Sequence, residues 1–473
     1  MTARTAVVVL AGGTGARMRS AVPKVLHDAA GRTLLDRVLA TARTVMAGSG
    51  AARLVVVTNP EAGDAVAAHL KSVAPEAAVA PQPSPRGTGD ALRAAMAKIG
   101  KASRLVVLPG DAPLVTPASV LKLLEELDAH PEAPAVFLSA VPQDPSGYGR
   151  VLRDAHGIVV AVVEERDASE REQEIREVNG GVYAFDRRFL EGALPRLEPA
   201  NAAAELYLTD LLAMAVESGR PARGVPAASP EEILGVNTRA SLARVEGVLR
   251  ARAASAAMAG GAALLRPETV TLDETVVLAP DSVVEPFVTL LGATRVGEGT
   301  RIGQGCVIRD TVLGTNVTVK PYCVMEGARV GDGAVVGPFA RLREGTDLGE
   351  SVHIGNFVET KKAVLRQGAK ANHLTYLGDT EVGERTNVGA GVITCNYDGF
   401  DKHRTTIGKD VFVGSDVQLV APVAVGDGAV IGAGTTVTAD VPGGALATSR
   451  TPQTNVEGGG TRYRERKKEK KRK

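Results

Sequence analysis

The first apolar run, residues 6–10, leads into Leu10-Ala11-Gly12-Gly13-Thr14-Gly15-Ala16-Arg17-Met18, with Pro23-Lys24 a few residues on. A glycine-rich turn between strand and helix lets backbone N–H groups approach a phosphate chain, and Arg17 and Lys24 would add positive charge. The string is not a dinucleotide fingerprint, because Met18 stands where the third glycine belongs, and it lacks the Gly-Lys-Ser/Thr of a P-loop. A second concentration of reactive types lies far downstream, where a strict repeat lapses over residues 360–377 and 394–406. Glu359, Lys361, Lys362, Lys370, Asn372, His373 and Tyr376 stand at the first lapse, and Asn396, Tyr397 and Lys402 at the second. Cations, a histidine and two tyrosines at the interruptions of a scaffold are groups offered to a ligand. Histidine, with an ordinary pKa of ~6.5, is suited to taking a proton near neutral pH.

The elements that must position these residues differ between the two halves. In the first, residues 6–10, 54–58, 105–108 and 135–140 read as almost uninterrupted apolar strands, each followed by a longer polar-patterned segment. That alternation predicts an α/β doubly wound sheet buried on both faces, with ligands beyond the carboxyl ends of its strands. In the second, an aliphatic residue returns every sixth position from about Val296 to Val437, usually followed by glycine. Examples are Val330, Val336, Leu342, Leu348, Ile354 and Ile407, Val413, Leu419, Val425, Ile431, Val437. A period of six fits neither a helix nor a lone strand, but three hexads per coil build a parallel β-helix. Gly297, Gly303, Gly331, Gly337, Gly383, Gly389, Gly408, Gly414, Gly426 and Gly432 are expected to relieve corners at positive φ. The predicted organisation is a first domain over residues 1–238, a linking helix over 239–260, the β-helix over 261–456, and a basic tail over 457–473. From Arg462 to Lys473 the tail carries nine Lys/Arg and two Glu, leaving the rest of the chain at −6 against an overall +1. It is expected to be disordered and solvated, with nucleic acid not a partner.

Composition excludes several classes. With 44% apolar residues there is ample material for cores, and three cysteines, Cys306, Cys323 and Cys395, make neither a disulfide framework nor a zinc pattern. They predict packing roles in a reducing compartment. No run approaches the ~18 uncharged residues of a membrane span, and the first apolar run is too short for a signal sequence. A cytoplasmic protein without a membrane partner is the expectation.

The glycine-rich string with Pro23-Lys24 resembles the signature of the sugar-phosphate nucleotidylyltransferases, and the motifs that follow keep the family's order. Gln82 and Gly87-Thr88-Gly89 resemble the segment that holds the nucleobase, and Leu108-Pro109-Gly110-Asp111-Ala112-Pro113-Leu114 the metal-binding strand end. Gly147-Tyr148-Gly149-Arg150, Val163-Glu164, Asn179-Gly180-Gly181 and Gly235-Val236-Asn237 are similar to the sugar-binding elements and a second metal ligand. The resemblance implies a nucleotide-sugar site of Leu10, Ala11, Gly12, Gly13, Lys24, Gln82, Gly87, Thr88, Gly149, Glu164, Asn179 and Asn237. Mg²⁺ would be held by Asp111 and Asn237, hard oxygen donors that leave room for phosphate and water. Where the family has a second Gln and a Leu before Gly-Thr-Gly-His, this chain has Pro85-Arg86-Gly87-Thr88-Gly89-Asp90, so uridine preference rests on the whole match.

Over residues 7–457 the chain resembles the bifunctional UDP-N-acetylglucosamine pyrophosphorylase/glucosamine-1-phosphate N-acetyltransferase family. The residues that carry this are Pro338-Phe-Ala-Arg-Leu-Arg343, Gly355-Asn-Phe-Val-Glu-Thr-Lys-Lys362, His373-Leu-Thr-Tyr-Leu-Gly-Asp379, Asn387-Val-Gly-Ala-Gly391, Thr394-Cys-Asn-Tyr-Asp-Gly399 and Val413-Gly-Ser-Asp416. The resemblance implies a left-handed coil, a homotrimer, and a precursor for cell-wall and lipopolysaccharide synthesis made from glucosamine 1-phosphate, acetyl-CoA and UTP. Its amine must lose a proton to attack a thioester, and His373 is the candidate base. By resemblance Glu359 orients His373, while Arg343, Lys361, Tyr376, Asn387, Asn396 and Lys402 hold the sugar phosphate, with Tyr397 near the reacting centre. Acetyl-CoA would lie near Ala390, Asn396, Tyr397, Ser415, Ala433 and Arg450. Arg17 and Lys24 are the candidates for transition-state charge in the uridylyl transfer. Two other readings stay open from the residues alone: a nucleotidylyltransferase whose β-helix is structural or regulatory, and a non-catalytic hexapeptide scaffold.

Overall fold

The computed structural model describes residues 4–13, 15–50, 53–84, 86–449 and 452–472. The chain forms two compact units, one ending at Arg252 and the other beginning at Ala253. The division falls inside a helix, Arg239–Ala259, that occupies the expected linker. Leu242, Val245 and Leu249 on its first part belong to a core of the first unit, and Ala254 to the core of the second.

In the first unit nine strands form one sheet, in the order Ala78–Pro81, Arg53–Thr58, Thr5–Leu10, Arg104–Pro109, Val178–Asp186, Ala135–Ala140, Ala222–Pro226, Val159–Val163 and Arg150–Arg153. The first four are parallel, and Val178–Asp186 runs antiparallel to both its main neighbours, so the sheet is mixed. Its strands read as continuous apolar runs because both faces are covered: Val7 and Val9 enter one core, Ala6 and Val8 the other. Strand order reverses between Thr5–Leu10 and Arg104–Pro109, which opens a crevice at their carboxyl ends.

The second unit is a parallel β-helix, the architecture of the left-handed hexapeptide coil. Val283 pairs with Arg301, and the column continues through Thr318, Val335, His353, Lys370 and Asn387 in steps of 17 or 18 residues. The inward aliphatic residues Val336, Leu342, Leu348, Ile354, Val413, Leu419 and Ile431 are at most 1% exposed.

Two expectations about this coil are corrected. Residues 360–377 do not interrupt it: strands His353–Lys361 and Lys370–Gly378 pair along their length, and the inward positions are filled by Thr360 and Ala371, both 0% exposed. The lapse was one of residue type and of one residue in coil length. Residues 394–406 do contain an insertion, since the step from Asn387 to its partner Phe412 is 25 residues. The glycines also act differently from expectation. Of the ten named, Gly337 alone has positive φ; a Cβ at Gly297 would fall 2.3 Å from Gly314 O, and one at Gly383 2.4 Å from Gly408. They are needed because successive coils touch backbone to backbone. Positive φ occurs instead at neighbouring corner residues such as Gly299, Asn316, Asp410 and Asp416.

The tail is a further correction: Gly459–Arg472 is a helix, exposed along its described side chains. Arg, Lys and Glu are good helix formers, and that propensity is visible where no packing opposes it. All three cysteines are free thiols. Among the described residues no helix is long and apolar enough to cross a membrane.

Candidate active sites

At the switch point of the first unit lies a cavity of about 580 Å³ lined by Leu10, Gly13, Arg17, Lys24, Thr88, Asp111, Gly149, Glu164, Asn179 and Asn237, all singled out from sequence. Gly110 makes this convergence possible, because a Cβ there would sit 2.9 Å from Leu10 O, and its N–H instead donates to that oxygen. Val236 N donates to Asp111 O, which carries Asn237 to the same spot. The Lys24 ammonium then donates to Asp111 Oδ2 at 2.5 Å and to Asn237 Oδ1 at 3.0 Å, so the two oxygens converge on one cation. Gly13 and Gly15 leave room for the Lys24 side chain, which a Cβ at Gly15 would approach to 2.9 Å. Arg17 stands exposed at the rim.

On the far wall, the register between Val178–Asp186 and Ala135–Ala140 shifts between Asn179 and Tyr183. This bulge at Gly180-Gly181 turns Asn179 toward the cavity, where its amide donates to Tyr183 Oη at 2.7 Å. Glu164 receives a hydrogen bond from Thr209 Oγ1 at 3.2 Å. Burial holds its carboxyl above the usual range against that bond, and the neighbouring Asp210, Asp167 and Glu205 add to the rise. Gly147 N and Arg150 both bond Glu165, which fixes the loop bearing Tyr148 and Gly149.

Four residues expected in this site, Ala11, Gly12, Gln82 and Gly87, are not among those that line this cavity; Ala11 and Gln82 are buried, and Gly12 and Gly87 half-buried. Gln82 is 3% exposed and spends its amide on Asp90 Oδ2 at 2.9 Å and Gly87 O at 3.3 Å. Asp90 supplies an acceptor that keeps the glutamine facing inward, and the segment offers Thr88 instead. Conversely, Tyr148, Tyr183, Thr209 and Ser241 line the cavity without having been assigned. Tyr148 stood inside a quoted motif; Thr209 had no sequence signal, since a loop threonine gains its role only from the acid it faces.

In the second unit the strand pair His353–Lys361 and Lys370–Gly378 carries two groups of side chains. On one, Arg343 Nη1 donates to Glu359 Oε1 at 2.9 Å, and Glu359 lies opposite Tyr376. Beside them Asp379 Oδ2 accepts from Lys361 at 3.4 Å and Asn396 Nδ2 at 2.5 Å. The insertion folds back through the pairing of Tyr397 with Lys402 and the His403 N to Asn396 O bond. Lys402 thereby faces Lys361: hydrogen bonding between the amines, helped by Asp379, raises Lys361, while Lys361 lowers Lys402. Gly378 is required here, since a Cβ would fall 2.4 Å from Tyr376 Oη and 2.8 Å from Asn396 Nδ2.

His373 belongs to the other group, at a corner of the coil. Its Nδ1 meets Asn356 Oδ1 at 3.3 Å, and the two are register partners. Glu359, expected to orient His373, stands three positions past Asn356, beyond the corner where Phe357 has positive φ, and is bonded to Arg343. The same corner continues through Ala390, Ser415 and Ala433: Gly391 N bonds Leu374 O, Asp416 N bonds Ala390 O, and Gly434 N bonds Ser415 O. Asn387 is half-buried between Lys370 and Phe412, in the column of His353 and not in that of Glu359 and Tyr376. Arg450 lies outside the described residues.

Comparison with known proteins reaches nearly every residue. The MobA-like NTP transferase domain family matches residues 7–204, the GMPPB C-terminal domain residues 267–366, and the bacterial transferase hexapeptide repeat residues 404–439. The bifunctional protein GlmU of Sorangium cellulosum is 46% identical over 466 residues, 98% of this chain and 97% of the relative. Those of Pelobacter propionicus and Alkalilimnicola ehrlichii are 45% and 44% identical, each over 96% of this chain and covering 97% and 95% of the relative.

Proposed function

Since the chain belongs to the family of bifunctional GlmU proteins, we propose that the cavity of its first unit and the side-chain clusters of its second perform two successive transfers. The second unit acetylates glucosamine 1-phosphate with acetyl-CoA, and the first joins the product to UTP, giving UDP-N-acetylglucosamine and pyrophosphate. The observation that carries this reading is the presence of two separate sites of different chemistry, an oxygen-lined cavity with a central cation and a lysine-rich strand pair beside a histidine. Relatives named as bifunctional match 96–98% of the chain, which favours two activities over a nucleotidylyltransferase with an idle coil.

In uridylyl transfer an oxygen of the sugar phosphate bonds to the α-phosphorus of UTP, and pyrophosphate leaves with the electron pair of the broken P–O bond. No protein nucleophile is required, so catalysis is positioning and charge neutralisation. We assign Arg17 and Lys24 to the phosphates, Gly13 and Leu10 to the phosphate-side wall, Thr88 to the nucleotide, and Gly149, Glu164 and Asn179 to the sugar. Asp111 and Asn237 are assigned to Mg²⁺. The fit rests on their oxygens already sharing one cation, the Lys24 ammonium. Bound there, Mg²⁺ would offset the repulsion between the two phosphate anions.

In acetyl transfer the sugar's amine nitrogen forms the C–N bond, its proton passes to His373, and CoA leaves as thiolate with the C–S electron pair. Arg343, Lys361, Lys402, Tyr376, Asn387 and Asn396 are assigned to the sugar phosphate, Tyr397 to the reacting centre, and the Ala390, Ser415 and Ala433 corner to acetyl-CoA. The His373 corner also bears an exposed aromatic stack, Tyr322 on Phe339 on Phe357, with centroids 5.3 and 5.6 Å apart. That apolar edge supports a homotrimer in which neighbouring copies cover it and complete the site. Three free thiols suit the reducing cytoplasm, the compartment proposed. The experiment is a paired assay of acetyl-CoA-dependent loss of free amine and of pyrophosphate release from UTP with Mg²⁺. His373→Ala should abolish the first and spare the second; a wild-type protein that acetylates nothing would overturn the reading.

A further inference from the structure

The ring of His373 is held from one side. Gly355 lets the preceding coil approach so closely that a Cβ there would lie 1.8 Å from Asn372 O, and this approach brings Asn356 Oδ1 to 3.3 Å from His373 Nδ1. From the other side Thr375 Oγ1 donates to His373 O at 2.7 Å and anchors its backbone. An amide oxygen can only accept, so the contact requires the proton on Nδ1 and leaves the lone pair on Nε2. The acid expected to do this, Glu359, is engaged by Arg343.

We propose that Asn356 is the positioning residue for the acetyl-transfer base: its side-chain oxygen takes the Nδ1 proton of His373 and keeps Nε2 free to accept the proton of the amine. The inference rests on the assignment of His373 as that base. As the C–N bond forms, the amine proton moves to Nε2 and the charge spreads over an imidazolium whose Nδ1–H still points at Asn356. A neutral amide suits the task. A carboxylate in the same place would favour the charged ring before the substrate arrives and remove base from the neutral-pH population. The charged and titratable groups on the flanking strands are His353, Glu359 and Lys361 on the preceding coil, Lys370 and Tyr376 on its own, and Cys395 on the following one.

The test uses the full-length protein with both activities measured on each preparation, uridylyl transfer serving as the folding control. Asn356→Ala is expected to lower kcat for acetylation by about tenfold or more, since a general base contributes ~10²–10⁴ and a misoriented one loses part of that. KM for glucosamine 1-phosphate and acetyl-CoA should stay within about twofold of the original, as for an interaction made only in the transition state. Asn356→Asp restores an acceptor and should recover kcat at high pH, with the acid limb of the kcat profile displaced upward in pH. Wild-type kcat in Asn356→Ala, a loss carried wholly by KM, or an unshifted limb in Asn356→Asp would overturn the inference. His373→Ala is run alongside. If it still acetylates, the base assignment itself falls; if it is inactive while Asn356→Ala is not, only the role of Asn356 falls.

Discussion

Lys24 Nζ lies 2.5 Å from Asp111 Oδ2, inside the cavity at the switch point of the sheet. An ammonium ion and a divalent cation are alternatives at such an oxygen, so on the proposed assignment Lys24 would serve the phosphates while Asp111 would hold the metal. Asp111→Asn should therefore cut pyrophosphate release by at least about a hundredfold, the scale of one lost electrostatic partner in a low-dielectric site. Acetyl transfer should be unchanged. Residual uridylyl transfer within about twofold of wild type would contradict the assignment.

Glu164 is a carboxyl whose folded-state pKa is raised by burial. Its stabilising contribution is present at low pH, below the unfolded value, and is lost as pH rises through the raised folded value. Glu164→Gln should accordingly raise the melting temperature near pH 7.5 and have little effect near pH 4. The same change should raise KM for the sugar phosphate. Thermal unfolding at the two pH values, together with uridylyl kinetics, reads both consequences.

Lys361 is tied to Asp379 and faces Lys402. Removal of one phosphate-binding cation typically costs about 1.5–3 kcal/mol, or roughly 10–150-fold in binding. Lys361→Ala should raise KM for glucosamine 1-phosphate by that factor while KM for acetyl-CoA holds. An increase confined to acetyl-CoA would place the phosphate elsewhere.

Two glycines separate close approach from backbone conformation. A Cβ at Gly383 would meet Gly408 at 2.4 Å, whereas Gly428, with φ of 67°, has nothing within 4 Å of that position. Gly383→Ala should destabilise the coil by roughly 1–3 kcal/mol or more, the cost of forced overpacking. Gly428→Asn should cost less than about 0.5 kcal/mol, because asparagine tolerates the left-handed region. Denaturant midpoints of the two variants give the comparison.

Much of the site was legible in the residues. Asp111 stood just after an apolar strand, where ligands gather, and Lys24 and Asn237 stood in motifs that keep order with it. His373, Lys361, Tyr376 and Asn396 stood where an aliphatic repeat lapsed. Other features were not legible, for separate physical reasons. Gln82 was turned inward by Asp90, a partner eight residues away whose effect depends on the turn between them. Thr209 became relevant only because folding set it against Glu164. The lapse at residues 360–377 was judged by residue type, yet a buried Thr360 and Ala371 continue the coil as well as aliphatic residues do.

Local pattern determined the two architectures of this protein, because hydrophobic period and strand-end chemistry are properties of neighbouring residues. Which side chains meet was decided by register. His373 and Asn356 are seventeen positions apart and touch because one coil of this length returns the chain above itself. Glu359, nearer in sequence to His373 than Asn356 is, lies further along the strand and pairs with Arg343. Sequence proximity measures contour along the coil, whereas contact depends on its pitch, and only the tertiary structure carries that length.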